Sequence, residues 1–154
     1  MKKLFLILLL FLSFSLTAQP IDDMDTFYEL VNDYRERIGV PVLDVDPALE
    51  AYSDYYNHLC LRNGNISHGL LPLEQIATKV DSLSQIRYDL IHEVLQSGPV
   101  KLLSDFVFVF HNFVESPSHN AALIREDGVT IGANYLVSEN EIVIFSAYVG
   151  VLYE

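Results

Sequence analysis

Five histidines are the residues of this chain best suited to acid–base or metal chemistry, and they are scattered along it: His58, His68, His92, His111 and His119. A neutral imidazole can bind a divalent metal or transfer a proton near neutral pH. No two of them are spaced i, i+4 beside a glutamate, and the single cysteine excludes a cysteine cluster for zinc. The patterns of serine hydrolases, P-loops and dinucleotide-binding sites are absent. Spacing along the chain therefore does not say which histidines meet.

Two helices are predicted in the first half of the chain. The first opens at the aspartates of residues 22–23, carries apolar residues at helical spacing and ends before Gly39. The second begins at Pro47, where a missing N–H costs nothing, with Asp46 as the capping residue. A weaker pattern then predicts a short helix and an extended segment around residues 89–95. These elements would present the first two histidines and Glu93.

The second half predicts one more helix and a hairpin. The stretch "GPVKLLSDFVFVFHNFVES" (residues 98–116) is rich in strand formers, but its length and its flanking prolines favour one helix that ends at Ser116-Pro117. His119 would follow this helix, before the next strand. The runs "VTIGANYLV" and "EIVIFSAYVGV", joined by "SEN", predict an antiparallel hairpin. Three to four helices packed on a small antiparallel sheet give the class α+β.

The termini and the charge restrict the class of protein. Residues 1–18 have two lysines, an uncharged apolar run and a small residue at Ala18, which predicts a signal peptide and a single domain over residues 19–154. Without Lys2 and Lys3, seven basic residues face 21 acidic ones, a net charge of −14. So acidic a chain disfavours nucleic acid as a partner, and no later stretch predicts a transmembrane segment. Cys60, the lone thiol, is interpreted as a small buried hydrophobe rather than a nucleophile.

The order of several stretches resembles the CAP superfamily, also called SCP-like. That family comprises the cysteine-rich secretory proteins, antigen 5 and the plant pathogenesis-related 1 proteins. The resemblance is to the bacterial, cysteine-poor branch and covers about residues 25–150. It is carried, in chain order, by "LVNDYRERIGVPVLDVDPALEAYS", "NISHG", a glutamate about 25 residues further on, "FVESPSHNAAL" and "GVTIGANY".

The resemblance implies an α-β-α sandwich with a cleft where two histidines and one or two acidic residues converge. The family's first histidine matches His68 in "NISHG", its glutamate matches Glu93 in "IHEVL", and its second histidine matches His119 in "FVESPSH". The remaining acidic residue of the cleft would be Glu115. The family often holds zinc or another divalent cation on the two histidines, so the resemblance implies a metal on His68 and His119 that is not required for folding.

Each of these residues also has a purely structural interpretation. His68 could be a polar residue beside a helix, and Glu115 a solvated carboxylate at a helix end. The three other histidines are interpreted as structural or solvent-facing.

Three functions remain open at this point. The first is a secreted, non-enzymatic domain whose cleft binds a metal, a small molecule, a lipid or a protein. The second is a metal-dependent hydrolase in which a histidine-bound metal activates water and Glu93 is the general base. The third is a surface interaction module with a vestigial cleft, which would be favoured if Glu93 pointed away from both histidines. The absence of a recognisable nucleophile favours the first function over an enzyme.

Overall fold

A computed structural model describes residues 23–64, 66–71, 73–82 and 87–152. The predicted signal peptide lies outside these residues. Within the described chain there are six helices and four strands. In chain order they are α1 (Met24–Ile38), β1 (Asp44–Val45), α2 (Pro47–Asn63), α3 (Leu73–Asp81), β2 (Tyr88–Pro99), α4 (Val100–Leu103), α5 (Phe106–Glu115), α6 (Pro117–Leu123), β3 (Thr130–Val137) and β4 (Ile142–Leu152).

The first two helices begin and end where capping residues predict. The Asp23 side chain accepts a hydrogen bond from a first-turn N–H of α1, and that helix ends at Gly39 with φ 78°. Asp46 accepts from the Ala48 N–H at 2.8 Å, and Pro47 occupies the first turn of α2. A left-handed residue at the C-terminus costs glycine little because it lacks a Cβ. These local signals therefore operate as expected from the sequence.

The helix predicted over residues 98–116 is in fact two helices. The chain becomes extended at Asp105, whose carboxylate accepts from the N–H groups of Val107 and Phe108 and so starts α5 anew. Ser116-Pro117 ends α5 as predicted, but Pro117 also occupies the first turn of α6. A proline at that position needs no hydrogen-bond donor. His119 therefore follows α5 and precedes β3 as predicted, but it lies on a short helix that was not predicted.

The sheet has the order β1-β3-β4-β2. β3 and β4 form the predicted antiparallel hairpin, and β2 pairs with the other edge of β4, also antiparallel. The two-residue β1 runs parallel to β3, so the sheet is mixed rather than entirely antiparallel. The predicted α+β class is confirmed.

Helices cover both faces of this sheet. Alternate residues of a strand point to opposite faces, and β4 is buried on both: Phe145 and its neighbours on that face share a core with α1, α5 and α6. Ile144 and Tyr148 share the second core with α2 and α3. The structure is therefore a three-layer sandwich. Within the described residues, no helix combines the length and the apolar character needed to cross a membrane.

Candidate functional site

His68 lies in a turn whose backbone is hydrogen-bonded to a side chain of α2. Tyr56, fully buried on α2, donates its hydroxyl to the Ser67 carbonyl at 2.9 Å and accepts the Leu70 N–H at 3.2 Å. These two bonds bracket His68 on both sides, and Gly69 takes φ 74° to close the turn. The His68 side chain itself is 56% exposed. One buried hydroxyl thus fixes the backbone that carries an accessible imidazole.

Glu93 connects the sheet to this turn. It lies on β2 directly opposite Tyr148 of β4. Its Oε1 is 2.6 Å from His68 Nδ1, and its Oε2 accepts from the Tyr148 hydroxyl at 3.0 Å. Its side chain is 13% exposed, and burial raises its pKa, while the bonds from Tyr148 and His68 act in the opposite direction. Both carboxylate oxygens are therefore engaged.

His119, on α6, completes the group. Its Nε2 is 3.4 Å from the Nε2 of His68. Its ring packs edge-to-face on Phe113, the last aromatic residue of α5, with 5.2 Å between the two ring centroids. Burial lowers the pKa of His119, and a proton on the neighbouring His68 ring would lower it further. A lowered pKa keeps this imidazole neutral near pH 7, which is the form that binds a metal.

Comparison with other proteins supports the same fold. No protein-family model matches the chain. A Borreliella burgdorferi protein described only as uncharacterized is 31% identical over 97% of this chain and 96% of its own length. The solved outer surface protein of Borrelia burgdorferi is 26% identical, with a TM-score of 0.72 over 84% of this chain and 92% of that one. An extracellular SCP-domain protein of Bacillus anthracis superposes with a TM-score of 0.67 at 17% identity, covering 82% of this chain and 39% of its own.

The chain has the fold of the CAP superfamily. The pattern that carried the resemblance places His68, Glu93 and His119 in three separate elements, and the fold brings these three side chains into contact. Glu115, the fourth residue expected in a CAP cleft, is exposed at the last position of α5. It makes no hydrogen bond or ion pair with another described residue, so its part in the cleft stays a prediction.

Two further residues of this site, Tyr56 and Tyr148, have no sequence signal that links them to the histidines. Their hydroxyls contact the His68 turn and Glu93. Only the register of β2 against β4 identifies Tyr148 as the partner of Glu93. A tyrosine that lies opposite Glu93 cannot be located before the strands are paired.

The two Nε2 atoms are suitably spaced for one metal ion. Nitrogens bound at ~2.0–2.1 Å to a tetrahedral ion lie about 3.3–3.4 Å apart, and the observed separation is 3.4 Å. Among the described residues, no group of three or more His, Cys, Asp and Glu side chains is arranged as a metal site. Glu93 bonds to the far nitrogen of His68 and is thus an outer partner of the pair. The residues fit an open site with two protein ligands.

Two surface grooves lie away from the histidines. One, of about 290 Å³, runs between α2 and α3 beside Tyr55 and Lys79. The other, of about 360 Å³, runs along the acidic side of α1 near Val45. Neither contains His68 or His119. The imidazole pair is therefore an exposed site of its own.

Proposed function

We propose that this protein is an extracellular CAP domain that reversibly binds one divalent cation, zinc foremost, through the Nε2 atoms of His68 and His119. The observation that carries the proposal is their separation of 3.4 Å, which suits two ligands of one tetrahedral ion. The extracellular location is supported by the relatives, which include an outer surface protein and an extracellular SCP-domain protein. The net charge of −12 for the whole chain favours the approach of cations.

Glu93 has an orienting role in this proposal. A metal-binding histidine generally donates its other ring N–H to a carboxylate or carbonyl, which fixes the ring and raises its basicity. Glu93 Oε1 is 2.6 Å from His68 Nδ1, and its low exposure protects that bond from water. The site therefore has one oriented ligand, His68, and a second, His119, held against Phe113.

Such a site would exchange its metal and bind further ligands. Structural zinc sites have four protein ligands, whereas sites with fewer leave positions for water or another ligand. A bound cation would supply Lewis acidity and a docking point for an anionic or carbonyl group. His68 is more than half exposed, so a small molecule, a lipid headgroup or a protein side chain could reach it.

The hydrolase alternative requires Glu93 to be a general base, and its contacts do not support that role. A general base needs an oxygen that can take a proton from a bound water. Oε1 already accepts from His68 and Oε2 from Tyr148. The vestigial-cleft alternative required Glu93 to point away from both histidines, and its bond to His68 argues against it. A binding role is the function that these contacts support best.

Zinc calorimetry tests the proposal. The wild type should bind one equivalent, and the double variant His68→Ala, His119→Ala should lose at least tenfold in affinity, because each imidazole supplies one of the two protein ligands. The matched control removes two exposed histidines elsewhere, His58→Ala with His111→Ala, and should bind as the wild type does. No binding by the wild type, or an equal loss in the control, would contradict the proposal.

A further inference from the structure

Three buried tyrosines form the floor of the histidine site. Tyr52 and Tyr56 are one turn apart on α2, and Tyr148 crosses from β4. All three are fully buried. Their ring centroids lie 4.8 Å apart for Tyr52–Tyr148 and 6.1 Å apart for the other two pairs. We call these three residues the tyrosine floor. Tyr148 packs edge-to-face on both other rings, while Tyr52 and Tyr56 are tilted to each other, and this packing restricts the orientation of each ring.

Two hydroxyls of the tyrosine floor bond directly to the residues that place His68. Tyr56 bonds to the backbone on either side of His68, at 2.9 and 3.2 Å. Tyr148 bonds to Glu93 Oε2 at 3.0 Å, while the other oxygen of Glu93 contacts the His68 ring. One tyrosine thus acts on the main chain of the turn, and the other acts on the orientation of the imidazole.

We propose that Tyr56 and Tyr148 are positioning residues that together hold His68 with its Nε2 lone pair directed at His119. The hydrogen bonds that position His68 do not depend on the proposed metal-binding function, but the purpose of this positioning rests on that function. Neither tyrosine contacts the place between the two Nε2 atoms. Each acts through other residues, Tyr148 through Glu93 and Tyr56 chiefly through the turn, although its hydroxyl also interacts with Glu93.

The tautomer of His68 follows from the hydrogen-bond inventory. An ionised carboxylate can only accept hydrogen bonds. With Glu93 ionised and the His68 ring neutral, the 2.6 Å contact between Oε1 and Nδ1 places the ring proton on Nδ1, while the other oxygen accepts from Tyr148. Nε2 is then unprotonated and faces His119 Nε2 at 3.4 Å. Without the Tyr148 hydroxyl, Oε2 would be buried beside a phenyl ring, and the carboxylate would lose one of the two contacts that aim it.

Tyr52 provides a matched control within the same floor. Its ring is as buried as the other two and packs on both of them. Among the described residues its hydroxyl has no hydrogen-bond partner. Tyr52→Phe therefore removes a buried hydroxyl and changes the floor's polarity without breaking a bond to the His68 turn or to Glu93.

The experiment compares Tyr56→Phe, Tyr148→Phe and Tyr52→Phe, each metal-free, by long-range proton–nitrogen NMR of the His68 ring. Wild type and Tyr52→Phe should show the tautomer with Nδ1 protonated. Tyr148→Phe should gain the other tautomer. Tyr56→Phe should exchange the Leu70 amide faster, because it loses the acceptor of that N–H. Tyr148→Phe, which loses one hydrogen bond, should weaken zinc binding about fivefold, and Tyr56→Phe, which loses two, should weaken it at least as much.

Three results would overturn the inference. The first is a wild-type His68 protonated on Nε2, which needs no variant and so holds even if a variant does not fold. The second is wild-type NMR behaviour in Tyr148→Phe and Tyr56→Phe. The third is an equal change in Tyr52→Phe, which would indicate a general packing effect. If the wild type shows the expected tautomer but binds no zinc, the proposed metal-binding function fails while the positioning role stands.

Discussion

Replacing Arg35 by methionine should be among the most destabilising single changes outside the site. Its guanidinium is fully buried on α1 and donates to carbonyls of Pro41 at 2.6 Å, Leu123 at 2.5 Å, Arg125 at 2.9 Å and Gly128 at 3.5 Å. Burial lowers the pKa of Arg35, but no carboxylate within the described residues pairs with it. Arg35 therefore joins α1 to the link before β1, to the last residue of α6 and to the segment that follows it, through main-chain acceptors alone.

The magnitude follows from those bonds. Hydrogen bonds to a charged group contribute about 1.5–3 kcal/mol each, and three of the four are 2.9 Å or shorter. Part of this is offset because the variant no longer buries a charge, which costs several kcal/mol. Methionine leaves the carbonyls buried without a donor, so we expect a net loss of about 3–5 kcal/mol in the free energy of unfolding. At about 4 °C per kcal/mol for a domain of this size, Tm should fall by about 12–20 °C.

Urea unfolding and thermal denaturation followed by circular dichroism measure this loss. The control is Arg37→Met on the same helix, since Arg37 is exposed and bonds only to the Asp33 carbonyl of its own helix at 3.2 Å. That variant should change stability by less than about 0.5 kcal/mol. Hydrogen exchange should also quicken in α6, which carries His119. If Arg35→Met lost less than about 1 kcal/mol, or no more than Arg37→Met, the assignment of Arg35 as the main cross-link between α1 and α6 would be refuted.

Three further changes test the local arguments. Gly132→Ala should lower the free energy of unfolding by about 1–3 kcal/mol, because the new Cβ would overlap the backbone of α2, and a wild-type urea midpoint would contradict this. Asp105→Ala should cost about 1 kcal/mol by thermal melting, since it removes the cap of α5, whereas Asp105→Asn should retain most of it. Burial, then Arg125, lowers the pKa of His92 against the opposing effect of Asp127, so its folded pKa lies below its unfolded one. Its contribution to stability is complete above about pH 6.5 and is lost as the pH falls. Urea titrations at about pH 7.5 and 5.5 should therefore show a smaller decrease for His92→Gln than for wild type, and equal decreases would contradict the assignment.

Local sequence signals predicted the elements best where one residue's chemistry decides the backbone. Asp46 with Pro47 started α2, and Gly39 ended α1, because caps and left-handed residues act over one turn. The helix predicted over residues 98–116 missed its break because Asp105 lies within a continuous apolar run. Hydrophobic periodicity does not show that a polar residue inside such a run ends one helix and caps the next.

The residue types and the family pattern by themselves predicted the α+β class and a cluster of His68, Glu93 and His119, and these three side chains do lie in contact. This was possible because short motifs such as "SHG" and "SPSH" can be recognised in the sequence without knowing how the chain packs. Only the tertiary structure decided how these residues meet: His68 and Glu93 are 25 positions apart, and His68 and His119 are 51 apart. It also decided that Tyr148 holds Glu93, because that contact depends on the register of two strands separated by 55 positions. Hydrogen bonds between distant elements are set by how the sheet and helices pack, and no spacing within a single segment encodes them.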